Sequence, residues 1–209
     1  MSLKNAFPKG AAAFLDMDGT LYPLPGGFCA SPVPRRLRAA YVALLRTALP
    51  RAAAESAYER MSADAGNIPL SGAVASFLSY PGGRAAVLAR VWGKVSTRGV
   101  VRAAHSVEAR KAVARLRAAY GALYLVTGAP RCWARRVLGT LGLADAFDGV
   151  FCLEDHGGQK SVSFSNVLAR GYSPSSCLSV GDQDETDLVP ARALGMGTLL
   201  VSGPREILS

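Results

Sequence analysis

Five unbroken apolar residues, Ala11-Ala12-Ala13-Phe14-Leu15, run directly into Asp16-Met17-Asp18-Gly19-Thr20. So short an apolar run, without alternation, predicts a strand covered on both faces, as in a parallel sheet packed between helices. Side chains two residues apart on a strand share a side, so Asp16 and Asp18 are expected to point the same way where the strand gives out. Gly19 lets the backbone turn sharply after them. Two acids therefore belong at the mouth of a parallel sheet, the edge where α/β proteins hold ligands. A second acidic run, Gly181-Asp182-Gln183-Asp184-Glu185-Thr186-Asp187, follows the short apolar segment Cys177-Leu178-Ser179-Val180. Two such clusters at two strand ends suggest a hard-cation site built from oxygen ligands.

From residue 106 onward the chain alternates helical and strand patterns. Ser106 can cap a helix over 107–120, where Val113, Leu116 and Tyr120 fall at helical spacing, and Gly121 ends it. Residues 122–126 read as a buried strand, 130–141 as a helix, 149–153 as a strand and 162–170 as a helix. A strand over 177–181, a helix over 187–194 and a last strand over 197–201 complete the series. This predicts an α/β fold, a Rossmann-like parallel sheet flanked by helices with right-handed crossovers. One crossover is too long: a βαβ unit needs about 30 residues, yet Asp18 and Thr127 are separated by more than a hundred positions. The surplus predicts an inserted lobe over 22–104, with the core formed by 1–21 and 105–209. Within the insert, 34–49, 51–64 and 83–97 have helical composition, separated by breaks at Pro50, Ile68-Pro69 and Pro81-Gly82-Gly83.

The chain has 209 residues, half of them hydrophobic, enough for one full core and a modest second lobe. No apolar run approaches the roughly 20 residues of a membrane span, and the apolar patch after Lys4 and Lys9 ends in two carboxylates, unlike a signal peptide. Cys29, Cys132, Cys152 and Cys177 form no C-x-x-C pair and read as reduced thiols of a cytoplasmic protein. The net charge is +9, and 19 of the 24 basic residues are Arg. Nucleic-acid binding is weighed against a compositional bias, and the bias is preferred. Between Tyr22 and His105 there are 11 Lys/Arg against 3 Asp/Glu, so the insert carries almost all of the excess. A basic lobe facing an acidic metal site would attract anionic substrates, a reading weighed against a merely solvated surface.

Four polar clusters are expected in order at the C-terminal ends of four strands: Asp16/Asp18, Thr127-Gly128, Lys160 and Asp182/Asp187. Together, Asp16-Met17-Asp18-Gly19-Thr20, Leu125-Val126-Thr127-Gly128, Lys160 and Gly181-Asp182 through Asp187 resemble the four motifs of the haloacid dehalogenase superfamily. The insertion point after the first motif resembles that of members with a helical cap of the C1 type. The chain departs from many relatives at Lys160, which is followed by Ser161-Val162-Ser163 rather than Pro-x-Pro.

That resemblance implies a phosphatase acting on a small soluble phosphorylated substrate, with Mg²⁺ as cofactor. It makes Asp16 the nucleophile that forms an acyl-phosphate, and Asp18 the acid that protonates the leaving alcohol and then activates water. It assigns the metal to Asp16, the Asp18 backbone carbonyl and Asp182. Asp18, Gly19, Thr127, Gly128 and Lys160 would surround the phosphate, with Lys160 balancing the charge on the transferred group. Asp187 would orient Lys160 or a metal-bound water from behind. Family dehalogenases lack the second aspartate of the first motif, so Asp18 favours phosphate chemistry.

Leu21-Tyr22-Pro23-Leu24-Pro25 resembles the start of pyrimidine 5′-nucleotidases, which would place Tyr22 over the site entrance. Sugar phosphates, phosphoglycolate and a phosphomutase reaction stay open. A signalling receiver domain or a silent binding protein on the same fold are the non-enzyme alternatives. His105 is expected to be structural. His156, in Asp155-His156-Gly157-Gly158, is weighed as a substrate contact. Trp92, Tyr41 and Phe28 are weighed as pocket residues against core packing. The oligomeric state is left open.

Overall fold

The computed structural model describes residues 11–24, 31–64 and 70–209. Lys4, Lys9, Pro25, Gly26, Gly27, Phe28, Cys29 and the Ile68-Pro69 break lie outside the described residues. The chain divides into two compact units, one of residues 1–31 with 98–209 and the other Pro32–Thr97.

The first unit is built on five parallel strands: β1 (Ala12–Leu15), β2 (Ala122–Val126), β3 (Gly149–Phe151), β4 (Leu178–Gly181) and β5 (Gly197–Leu200). Their spatial order is β3-β2-β1-β4-β5. β1, β2 and β4 are buried along their whole length, and β1 and β2 accordingly carry no polar alternation. The register aligns Leu15 with Leu125 on one side and with Val180 on the other. Thr127 and Asp182 therefore each come one residue beyond the level of Asp16, and three polar clusters converge at one edge.

The helices of this unit are α5 (His105–Ala119), α6 (Arg131–Leu141), α7 (Leu153–His156), α8 (Lys160–Leu168), α9 (Val189–Ala193) and α10 (Pro204–Leu208). α5 begins one residue before the expected Ser106 cap, and its N-terminal end has no side-chain cap. β3 stops at Phe151 because Asp155 takes the Cys152 N–H at 2.7 Å and starts the short α7 turn. Lys160 is consequently not at a strand end. It is the first residue of α8, which starts two residues earlier than its periodicity suggested. A π-helical turn over Asp184–Leu188 precedes α9. Phe14, Tyr124, Val126, Phe164 and Val167 form the core on one side of the sheet.

The second unit contains α1 (Val33–Leu45), α2 (Arg51–Ala63), α3 (Leu70–Phe77) and α4 (Gly83–Lys94). α3 was not read from the sequence; its eight residues, Leu-Ser-Gly-Ala-Val-Ala-Ser-Phe, are few, uncharged and mostly small. Tyr41, Leu45, Val74, Val87 and Val91 give this unit its own apolar core. Tyr41 and Trp92 are buried here. No described helix is long and apolar enough to cross a membrane.

Candidate active site

Asp16 follows β1 and continues its ladder, its N–H donating to the Val180 carbonyl at 2.9 Å. Its side chain lies on the same side as Phe14. Phe14 meets Phe164 edge-on, with ring centroids 5.3 Å apart. Phe164 lies one helical turn beyond Lys160 on α8, so the two side chains share a helix face. The apolar Phe14–Phe164 contact thereby aligns a polar one directly above it. The Lys160 ammonium donates to Asp16 Oδ1 at 2.6 Å and to Asp187 Oδ1 at 2.6 Å. All three residues are buried.

Two glycines let the acidic clusters approach so closely. Gly19 adopts φ +86°, and a Cβ there would stand 2.1 Å from Asp182 Oδ2. A Cβ on Gly181 would stand 2.3 Å from Asp187 Oδ2. A side chain at either position would push the carboxylates out of place. Asp16, Asp182 and Asp187 each offer an oxygen within 4.8 Å of the others.

The acids differ in how well they are satisfied. Asp187 is saturated: Lys160 and the Thr186 hydroxyl, at 3.1 Å, donate to Oδ1, and the Gln183 N–H donates to Oδ2 at 3.0 Å. Asp182 is not, because its Oδ1 is buried with no hydrogen-bond partner among the described residues. Burial is the largest influence on the Asp16 carboxyl and, with the repulsion of Asp187 and Asp18, pushes it up to about 7 despite Lys160. Burial, then Asp187, pushes Asp182 up to about 6. Lys160 is raised above the usual lysine range: burial opposes its charge, but Asp16 and Asp187 outweigh it. Three clustered carboxylates thus share one ammonium, and an orphaned acceptor remains. That donor set fits a divalent cation with hard oxygen preference.

Asp18 points into a different environment. Its Oδ1 accepts hydrogen bonds from the Tyr22 hydroxyl and from Trp133 Nε1 at 3.1 Å. Burial raises the Asp18 carboxyl, and these two donors pull against that. Tyr22 is fully buried rather than lying over an entrance, and its ring stacks parallel to His105 with centroids 6.3 Å apart. Burial and the Asp18 charge raise the Tyr22 phenol far above its ordinary range. Trp133, from α6, was not read as a site residue. Its isolated position in Arg131-Cys132-Trp133-Ala134 gave no signal beyond a large apolar side chain.

Thr127 is buried immediately after β2, and its Oγ1 accepts the Ala129 N–H at 3.1 Å. Gly128 faces open space, since a Cβ there would meet no atom within 4 Å. His156 sits beneath this turn. The Gly158 N–H donates to its Nδ1 at 3.1 Å, which places the ring proton on Nε2, 3.1 Å from the Thr127 carbonyl. Burial holds the imidazole below its ordinary range. His156 therefore ties the Thr127-Gly128 turn to the segment leading into Lys160, with both ring nitrogens engaged by backbone groups. The structure brings together Asp16, Asp182, Asp187 and Lys160, sets Gly19 against Asp182, and holds Asp18 through Tyr22 and Trp133.

Comparison with known proteins bears on the fold and the family. A HAD phosphatase from Thermococcus onnurineus is similar over 94% of this chain and 95% of its own, at 20% identity and a TM-score of 0.56. The HAD hydrolase YfnB of Bacillus subtilis, solved with bound magnesium, is similar over 92% of this chain and 89% of its own, at 16% identity and a TM-score of 0.51. A haloacid dehalogenase-like hydrolase from Xanthomonas campestris is similar over 94% and 85%, at 16% identity and a TM-score of 0.51. At these identities the likeness speaks to the fold. No curated protein sequence matches the chain significantly. The model of one family, described as haloacid dehalogenase-like hydrolase, matches residues 11–195, which takes in all four polar clusters. The chain belongs to the haloacid dehalogenase-like hydrolase family.

Proposed function

We propose that the protein is a divalent-cation-dependent phosphomonoester hydrolase acting through an aspartyl-phosphate on Asp16. The observation that carries this reading is the division of labour between two acids two residues apart. Asp16 is paired with Lys160, and Asp18 is held separately by Tyr22 and Trp133.

Asp16 attacks phosphorus, and the ester P–O bond breaks as the new bond to the carboxylate forms. Asp18 gives its proton to the departing alkoxide oxygen. Water then attacks the same phosphorus, passing a proton back to Asp18, and the bond to Asp16 breaks to release phosphate. Lys160 stabilises charge on the transferred group, and the Gly128 amide and Thr127 hydroxyl receive phosphate oxygens. Asp187 keeps the Lys160 ammonium in place from behind. Asp16, Asp182 and the Asp18 carbonyl would hold the cation. Mg²⁺ suits that all-oxygen set, and when bound it supplies positive charge against the acids and the phosphate.

We assign the Pro32–Thr97 unit the role of a cap that selects the leaving group. Its nine Lys/Arg against three Asp/Glu suit anionic substrates. The substrate class is a small soluble phosphate ester, with nucleoside 5′-monophosphates, sugar phosphates and short phospho-acids as the screen. The free thiols Cys132, Cys152 and Cys177 fit a reducing, cytoplasmic setting. The deciding experiment is phosphate release from p-nitrophenyl phosphate with Mg²⁺ and with chelator, alongside trapping of a phosphorylated Asp16. Absence of turnover over the whole screen would refute the reading.

A further inference from the structure

We infer that Trp133 and Tyr22 are positioning residues that fix Oδ1 of Asp18 as an acceptor and leave Oδ2 to carry the proton that reaches the leaving oxygen. The inference rests on the hydrolase reading above and sharpens its substrate class to phosphate esters of aliphatic alcohols.

The argument begins with donor and acceptor capacity. A carboxylate oxygen has two lone-pair directions in its plane. At Asp18 Oδ1 both are taken, one by the Tyr22 hydroxyl and one by Trp133 Nε1–H. An indole N–H can only donate, and a phenol facing a carboxylate donates as well. A proton on Asp18 is therefore excluded from Oδ1 and must reside on Oδ2. No described residue donates to Oδ2, and Asp18 retains partial exposure although Tyr22 and Trp133 are fully buried. The free oxygen is the one that solvent and substrate can reach.

The second part is rigidity. A short carboxylic acid side chain has a broad terminal torsion, and holding one oxygen by two donors from separate elements removes that freedom. Both donors are themselves immobile. Trp133 is packed on α6, with the Arg136 guanidinium over its ring at 5.7 Å. Tyr22 is fixed four residues beyond Asp18 by a bridge between their backbones and by its stack on His105. Neither ring needs to touch substrate to act.

The chemical consequence is selective. An alkoxide is a poor leaving group and needs a proton as the P–O bond breaks, whereas p-nitrophenolate departs readily as an anion. An acid held this firmly is built for the first kind of ester. In the second half-reaction Asp18 acts as base on water, a step common to every substrate.

The test compares Trp133→Phe and Tyr22→Phe with wild type on glycerol 2-phosphate and on p-nitrophenyl phosphate. The parameter kcat/KM reports events through loss of the alcohol. Each variant should lower kcat/KM for the alkyl ester about tenfold or more and leave it within about threefold for the aryl ester. The shared slow second step should lower kcat for both esters and produce a burst of nitrophenolate. Equal losses of kcat/KM on the two esters, or no loss on either, would overturn the inference.

Since a buried Trp→Phe change can unfold the protein, a second measurement stands apart from these variants. The chain has two tryptophans. The Trp133 indole N–H resonance, assigned with Trp92→Phe, should move when Asp18→Ala removes its acceptor. An unmoved resonance overturns the contact. A wild-type protein that turns over no ester of the whole screen, with the resonance still moving, overturns the hydrolase reading and the proton-positioning role with it.

Discussion

The Lys160 ammonium lies 2.6 Å from Asp16 Oδ1, although 144 positions separate the two residues in the chain. The contact is assembled by the parallel sheet. β1 delivers Asp16, α8 delivers Lys160, and Phe14 against Phe164 sets their alignment from below. Asp187 holds the same ammonium from the other side at 2.6 Å.

Removing the ammonium should therefore be costly in two ways. Lys160→Met leaves Asp16 and Asp187 buried without their counter-charge. We expect a loss of about 3–5 kcal/mol in denaturant unfolding, as for a broken buried ion pair. Adding Asp187→Asn should recover about 1–3 kcal/mol of it, because one of the stranded charges is gone. Strictly additive losses would show that Lys160 and Asp187 are not coupled.

Asp16→Asn preserves shape and removes the attacking charge. Turnover of any phosphate ester should fall by about 10³-fold or more with the fold intact by circular dichroism. Activity within about tenfold of wild type, in material free of contaminating phosphatase, would remove Asp16 from the role of nucleophile.

The orphaned Asp182 Oδ1 predicts a response to cations in stability as well as in rate. Mg²⁺ at a hundredfold excess over its dissociation constant should raise unfolding free energy by about 2.7 kcal/mol. Activity should vanish with chelator and return with Mg²⁺. Ca²⁺ should serve badly, because its larger and looser shell misplaces the nucleophile. An Asp182→Asn variant whose melting temperature still climbs with Mg²⁺ would place the cation elsewhere.

Without cation, stability should rise as the pH is lowered from about 7 towards 5. Asp16 and Asp182 titrate near 7 and 6 when folded, against 3.8 ordinarily. Between those values the folded state binds protons that the unfolded state does not. Their contribution is thus complete below 3.8 and lost as the pH climbs through 6 and 7. His156 and His105, both depressed by burial, act in the opposite sense below 6.5, while Asp18, raised by burial, adds to the effect of Asp16 and Asp182. Chemical unfolding of chelator-treated protein across this window checks the sign. The slope should shrink in Asp182→Asn.

His156 should behave as a strut. His156→Ala leaves the Thr127 carbonyl and the Gly158 N–H without their partner, at a cost of about 1–3 kcal/mol. Because the Thr127-Gly128 turn loosens, KM for phosphate esters should rise more than kcat falls. An unchanged KM in a folded variant would show that the turn holds its shape without the ring.

Much of this was legible in the chain. Unbroken apolar runs marked β1 and β2, because strands buried on both faces seldom sustain polar alternation. The excess length between Asp18 and Thr127 announced inserted helices, since no crossover needs so many residues. The acids and Thr127-Gly128 stood out because polar residues stopped each pattern abruptly, whereas Lys160 was expected at a strand end and instead opens a helix. What the sequence could not determine was which side chains meet. The Asp155 cap that ends β3 early and moves Lys160 onto a helix is a local competition between two hydrogen-bonding patterns. The reach of Trp133 to Asp18 spans 115 positions. Periodicity reports only neighbours within a turn or along a strand, so it finds the sheet. Contacts between the ends of different strands depend on register and on how each helix packs back, and those are decided only when the whole core closes.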